Sequence, residues 1–222
     1  MSVLDAIRQR AIDRPRFRGV LHTWCFVASI PIGVALVVSA PSMRAGFAAA
    51  VFAFAISAMF GISALHHRSD FEDHEWYRFR RLDHMGIYLC IGGGFTPFAM
   101  LGLDGWARMV MLVGGWVGAS IGIFLLFLPF KPPFGMMNAL FIALGWVAIV
   151  PVIQLWDFLG PAWMAVTVGG GLVYTIGALV VGARWPDPWP HTFGYHEIWH
   201  VMVAIAAAMH YSVVAFALVP SN

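Results

Sequence analysis

The chain has 222 residues, of which 60% are hydrophobic, 15% aromatic and 11% charged, with a formal net charge of +2 and a mean hydropathy of +0.79. That is too little polar surface to coat a soluble globule, so the composition excludes a soluble domain and points to an integral membrane protein. No nucleic-acid motif accompanies the small basic excess, and the arginines serve better as markers of topology.

Apolar runs of spanning length, about 20 residues each, cover residues 19–39, 46–66, 83–103, 106–128, 136–155, 162–182 and 196–219. The predicted fold is all-α, a seven-transmembrane helix bundle that forms one domain over residues 1–222. Short connections with turn residues or charges lie at 40–44, 104–105, 129–135, 156–161 and 184–191. Only the segment 68–82 is long, and its Asp70, Glu72, Asp73, Glu75, Arg78, Arg80 and Arg81 read as a cytoplasmic interfacial loop or short helix. Val38-Ser39-Ala40 has the small residues of a signal cleavage site. Pro41 would follow the cut, however, and the apolar run is longer than an ordinary signal core, so the segment is read as a span. Cys25 and Cys90 both fall inside apolar runs, as packed thiols rather than a secreted disulfide framework.

Arg8, Arg10, Arg14, Arg16 and Arg18 precede the first span, and Arg68, Arg78, Arg80 and Arg81 follow the second, with Lys131 and Arg184 on the same side. Only Arg44 and Arg108 fall opposite. Because short cytoplasmic loops retain Lys and Arg, the segment 1–18 is expected in the cytoplasm and the carboxyl terminus outside.

This topology gathers scattered polar residues at one depth. The second span ends with Ser63 and His67, the third begins with Asp83, and the seventh begins with His196 and His200. Residues four apart on a helix share a face, so His196 stacks beneath His200 and Ser63 beneath His67. Three imidazoles and a carboxylate from three helices match the ligand set of a catalytic zinc, with neutral nitrogen ligands and a position open for water.

The runs Ser63-Ala64-Leu65-His66-His67, Arg81-Leu82-Asp83-His84-Met85-Gly86-Ile87 and His196-Glu197-Ile198-Trp199-His200, the last followed by Ala206-Ala207-Ala208-Met209-His210, resemble the three signatures of the hemolysin III family. That family is the bacterial branch of the progestin and adipoQ receptor family, which includes the adiponectin receptors. The resemblance implies a seven-helix bundle in a bacterial inner membrane with its amino terminus in the cytoplasm. It carries the family's zinc ligands onto His67, His196 and His200, and its water-holding residues onto Asp83 and Ser63. Position 66, commonly aromatic in the motif, is His66 here, so two adjacent histidines compete. His67 is chosen because the motif's ligand lies four residues after the serine.

Such a site implies metal-assisted hydrolysis by a zinc-activated water, with Asp83 orienting the water or taking its proton and Ser63 hydrogen-bonding the water or a developing oxyanion. The resemblance suggests membrane lipids as partners, with a ceramide-like amide or another acyl bond at the cytoplasmic leaflet as the substrate. The strongest rival is a non-catalytic sensor of membrane lipid or energy state with a structural zinc. A pore-forming hemolysin fits a permanently apolar chain less well, and a retinal pump is excluded because the only lysine, Lys131, lies in a loop. His84 and Glu197 point about 100° away from their ligand neighbours and are expected to support the site by hydrogen bonds. His210 reads as a core residue or part of a polar path, and His22 has no assigned partner.

Overall fold

The computed structural model describes residues 14–129 and 135–222; Arg8, Arg10 and Lys131 lie outside them. Among the described residues the chain is helical: α1 Val20–Val38, α2 Met43–Arg68, α3 Asp73–Gly102, α4 Gly105–Phe127, α5 Met136–Gly145, α6 Val152–Ala183 and α7 Tyr195–Val213. A tight turn of helix, Trp146–Ile149, prolongs α5, and a wider one, Val214–Leu218, prolongs α7. Six helices are long and apolar enough to cross a membrane, and the stretch Met136–Ile149 is a shorter apolar helix. Large apolar side chains including Trp24, Phe54, Trp106, Ile153, Leu179 and Phe216 face outward, as a lipid-facing surface requires.

Helix α2 runs through the middle of the packing. Ala45, Ala48, Phe52, Ala55, Met59 and Ser63 are all buried, at the three- and four-residue spacing of one helical face. The small residues along it let neighbouring helices approach closely. That buried stripe ends at His66 and His67, so packing alone carries both histidines to the edge of the core.

The charged segment after α2 is helical from Asp73 onward and continuous there with α3, which starts ten residues before the predicted span. A capping box explains the early start: the Glu72 and Glu75 side chains each accept from the other residue's backbone end. Phe71 stacks on Phe79 with centroids 4.0 Å apart, and the Arg80 guanidinium lies over Trp76. Asp83 therefore sits about three turns inside a rigid helix rather than at its frayed start.

The predicted boundary between the fifth and sixth spans also moves. The break falls at Val150–Pro151 instead of residues 156–161, because a proline that lacks an N–H suits a helix start. The former connection is helical up to Gly160, whose φ of 69° and ψ of 174° kink α6 before Pro161. Asn138 donates to the Ala178 carbonyl and Trp146 to the Thr175 hydroxyl, so α5 and the later part of α6 run antiparallel.

The bundle has two contrasting ends. At one, Arg14 and Arg18 meet Asp70 and Glu197, and the backbone of Arg16 and Phe17 donates to the carbonyls of His191 and Thr192. At the other, Arg44 reaches the Met100 carbonyl, Gln154 accepts from the Asp104 backbone, and Asn222 donates to the Leu101 carbonyl.

Candidate metal site

Each candidate residue is held by a local device. Gly194 opens α7, and the Glu197 carboxylate accepts from its backbone N–H at 2.8 Å; Asp187 accepts from the Tyr195 N–H at 3.1 Å. Two carboxylates thus sit at the positive end of the helix dipole and fix where α7 begins. His196 and His200 follow on adjacent turns of one face. Above the end of α2 the chain passes in a left-handed conformation at Gly19 (φ 75°), where a Cβ would lie 2.7 Å from the Cβ of His67. Only glycine permits both that φ and that approach.

His67, His196 and His200 each offer a ring nitrogen within 4.8 Å of the other two. The Nε2 atoms of His67 and His196 are 3.2 Å apart, and the His200 ring centroid is 4.9 Å from that of His67. Asp83 Oδ2 stands 3.5 Å from His67 Nε2. His67, not its neighbour His66, closes the group with the two α7 histidines; His66 belongs to a second group with His67 and Asp83. His66 is buried beside Trp76, and its Nδ1 has no hydrogen-bond partner among the described residues.

The Oγ of Ser63 pairs with Nδ1 of His22 at 2.9 Å. His22, 2% exposed, also stacks on His200, with centroids 3.9 Å apart and planes within 15°. It is the site residue that spacing alone missed, since no motif ties the first span to the seventh. The available signal was an imidazole inside an apolar span, where burial without purpose is costly. Arg18, in the sequence a marker of topology, pairs with the buried Glu197.

Two sequence expectations resolve differently. Glu197 supports the site by anchoring Gly194 and Arg18 rather than by bonding a histidine. His84 pairs through Nδ1 with the Arg80 carbonyl at 2.9 Å and stacks near Phe141, outside both candidate groups.

An internal cavity of about 380 Å³ begins at His22, Ser63, Asp83, His196 and His200 and continues between apolar side chains such as Phe52, Ile91, Phe98 and Leu155 to His210. A second hollow of about 350 Å³ lies on the outer face of α1 and α7, lined by Phe17, Leu21, Trp24, Phe193 and Val201. His200 borders both. The cluster therefore stands between an apolar interior and an apolar outer groove.

The family model described as Haemolysin-III related matches residues 10–211. The chain belongs to this family. It is similar to Hemolysin-3 of Bacillus cereus, 28% identical over 207 residues that cover 91% of this chain and 90% of that protein. It is also similar to the Hemolysin-3 homolog of Bacillus subtilis (strain 168), 28% identical over 135 residues and 61% of each chain. The matched region contains the whole histidine and aspartate cluster, and family membership agrees with the apolar helices in identifying a membrane protein.

Proposed function

We propose that the chain is a zinc-dependent hydrolase that cleaves a lipid amide, ceramide-like, or another acyl bond at the cytoplasmic leaflet, spanning a bacterial inner membrane seven times. The observation that carries the reading is the convergence of three imidazoles from α2 and α7 at the head of an apolar cavity. Two nitrogens on one tetrahedral zinc, each about 2.05 Å from it, are about 3.3 Å apart; His67 and His196 hold theirs 3.2 Å apart. Without a cation, two such atoms can share only one proton. The donor set and spacing fit zinc, and His67, His196 and His200 would hold it.

Zinc bound there supplies a Lewis acid and lowers the pKa of the water it binds to about 7. The protein does the rest. The Asp83 carboxylate, beside a ligand nitrogen, accepts a proton or orients the attacking water. His22, stacked on His200, fixes that ring's plane and, through Nδ1, the rotamer of Ser63. When His22 donates to Ser63, the serine hydroxyl retains its own proton to give to a developing oxyanion. The cavity removes the acyl chain from water while its scissile bond stays beside the histidines. The arginine-rich end of the bundle, with Arg14, Arg16, Arg18 and Arg184, supports a cytoplasmic placement of that bond.

A non-catalytic sensor with structural zinc is the second reading, favoured by the opposite direction of the same contact, in which Ser63 donates its one proton to His22 Nδ1. A pore, which the name hemolysin suggests for the relatives, is disfavoured by the largely apolar cavity wall beyond the cluster.

Metal content and lipid turnover of the detergent-purified chain test the proposal together. The hydrolase reading expects about one zinc per chain, lost in His67→Ala, His196→Ala and His200→Ala. It also expects Asp83→Asn to keep the metal while losing turnover at least a hundredfold. Retained zinc with no hydrolysis across a broad panel of amide and ester lipids would transfer the site to the sensor reading. Absence of zinc even after add-back to folded protein would remove both.

A further inference from the structure

Ten residues beyond His200 on α7, about 15 Å deeper at 1.5 Å per residue, a second polar station interrupts the apolar wall of the same cavity. His210 lines that cavity. Its Nε2–H donates to the Thr167 carbonyl on α6 at 3.0 Å. Its ring lies between Phe98 and Tyr174. An imidazole at such depth needs a stated purpose, because an apolar residue would pack there at less cost.

Packing has been arranged around this imidazole. A Cβ on Gly170 would lie 2.7 Å from His210 Nε2 and 2.9 Å from Cδ2, so glycine at that position lets the ring reach the α6 backbone. The edge carrying Nε2 therefore faces α6. The hydrogen bond to Thr167 fixes the tautomer, which leaves Nδ1, on the other side of the ring, as a lone-pair acceptor. Among the described residues Nδ1 has no protein partner.

We infer that His210 is a specificity residue: it recognises a hydroxyl or amide N–H carried on the acyl chain of the ligand, about twelve carbons from the group held at the histidine cluster. The spacing follows from about 15 Å of helix and an advance of about 1.25 Å per carbon in an extended chain, set by C–C bonds of about 1.5 Å. This inference deepens the reading of the cavity as a lipid site and rests on it. It assigns a function to a motif histidine that lies too far from the cluster to share its cation.

The test is displacement of a fluorescent fatty acid from the full-length, detergent-purified protein by hexadecanoic acid and its 2-hydroxy and 12-hydroxy derivatives. The 12-hydroxy acid should bind about fivefold more tightly than hexadecanoic acid, the worth of one net neutral hydrogen bond, and the 2-hydroxy acid should show no such preference. His210→Leu should bring the 12-hydroxy acid to parity while leaving hexadecanoic acid within twofold. His210→Asn, which keeps an acceptor near the Nδ1 position, should restore part of the preference. Equal affinity of the wild type for all three acids overturns the inference and leaves the lipid reading standing. Failure of every acid to displace the probe overturns both. Should His210→Leu not fold, the positional preference of the wild type decides the question alone.

Discussion

The two ends of the bundle face the same problem and solve it differently. Apolar helices must stop, and their terminal polar groups need partners. At the far end, side chains mostly cap backbone: Ser42 accepts from Ala45, Arg44 and Asn222 reach the carbonyls of Met100 and Leu101, and Gln154 accepts from Asp104; the side-chain pair there, Arg108 with Asp104, is exposed. Those contacts complete one another and leave a structural end. At the histidine end, Asp187 and Glu197 also cap backbone, but buried side chains meet side chains as well: Arg18 with Glu197, His67 with Asp83 and His196, His22 with Ser63. The last of these groups to be satisfied is the pair His67 and His196, because two facing imidazole nitrogens require either a proton or a cation between them. The contrast separates a cap from a site without reference to any motif.

Breaking the buried ion pair is the most severe way to test this difference. Glu197 is 2% exposed, and Arg18→Leu leaves its buried carboxylate without its cation. Removing one partner of a buried pair costs about 3 kcal/mol or more, so thermal unfolding in detergent should show a large loss. Arg44→Leu at the far end, whose guanidinium among the described residues meets a carbonyl on an exposed surface, should cost less than about 1 kcal/mol. Equal losses would mean that the two ends are not distinguished by buried charge.

Two glycines sharpen the comparison at smaller cost. Gly19 and Gly105 both have positive φ, 75° and 54°, so alanine at either pays about 1 kcal/mol for the left-handed backbone. At Gly105 the added methyl meets nothing within 4 Å, whereas at Gly19 it meets the Cβ of His67 at 2.7 Å. Gly19→Ala should therefore also weaken zinc binding, about tenfold or more, as displaced ligand geometry does. Gly105→Ala should leave metal titration unchanged. The paired measurement separates backbone strain from damage to the site.

The legible part of this molecule was what local rules write. Hydropathy marked the helices, and the spacing of Ser63 to His67 and of His196 to His200 placed those pairs on common faces, which the structure brings together with Asp83. Boundaries governed by special residues shifted: the Glu72 and Glu75 box started α3 early, and Pro151 and Gly160 redrew the passage from α5 to α6. The supporting contacts were not legible because they join distant positions. Arg18 and Glu197 are 179 residues apart in sequence, and His22 and Ser63 are 41 apart. No helical period connects such pairs; only the packing of α1 against α2 and α7 does. His66 and His67 show the intermediate case, where the motif offered two neighbours and geometry put one of them with the α7 histidines.

The mildest prediction concerns Ser42, the cap of α2 at the far end. Its Oγ accepts from the Ala45 N–H at 3.1 Å, and removing such a cap costs about 1 kcal/mol. For a chain of this length that is about 2–4 °C in Tm. Helix α2 connects Ser42 directly to His67, 25 residues on, so the variant asks whether the helix transmits damage from one end to the other. A rigid helix frays only in its first turn when its cap is lost, and the buried stripe from Ala45 to Ser63 holds the remainder in register. Ser42→Ala should thus lower Tm slightly while zinc stoichiometry and affinity match the wild type. A fall in metal affinity comparable to that of Gly19→Ala would show that the two ends are coupled through α2, and the division between cap and site would have to be abandoned.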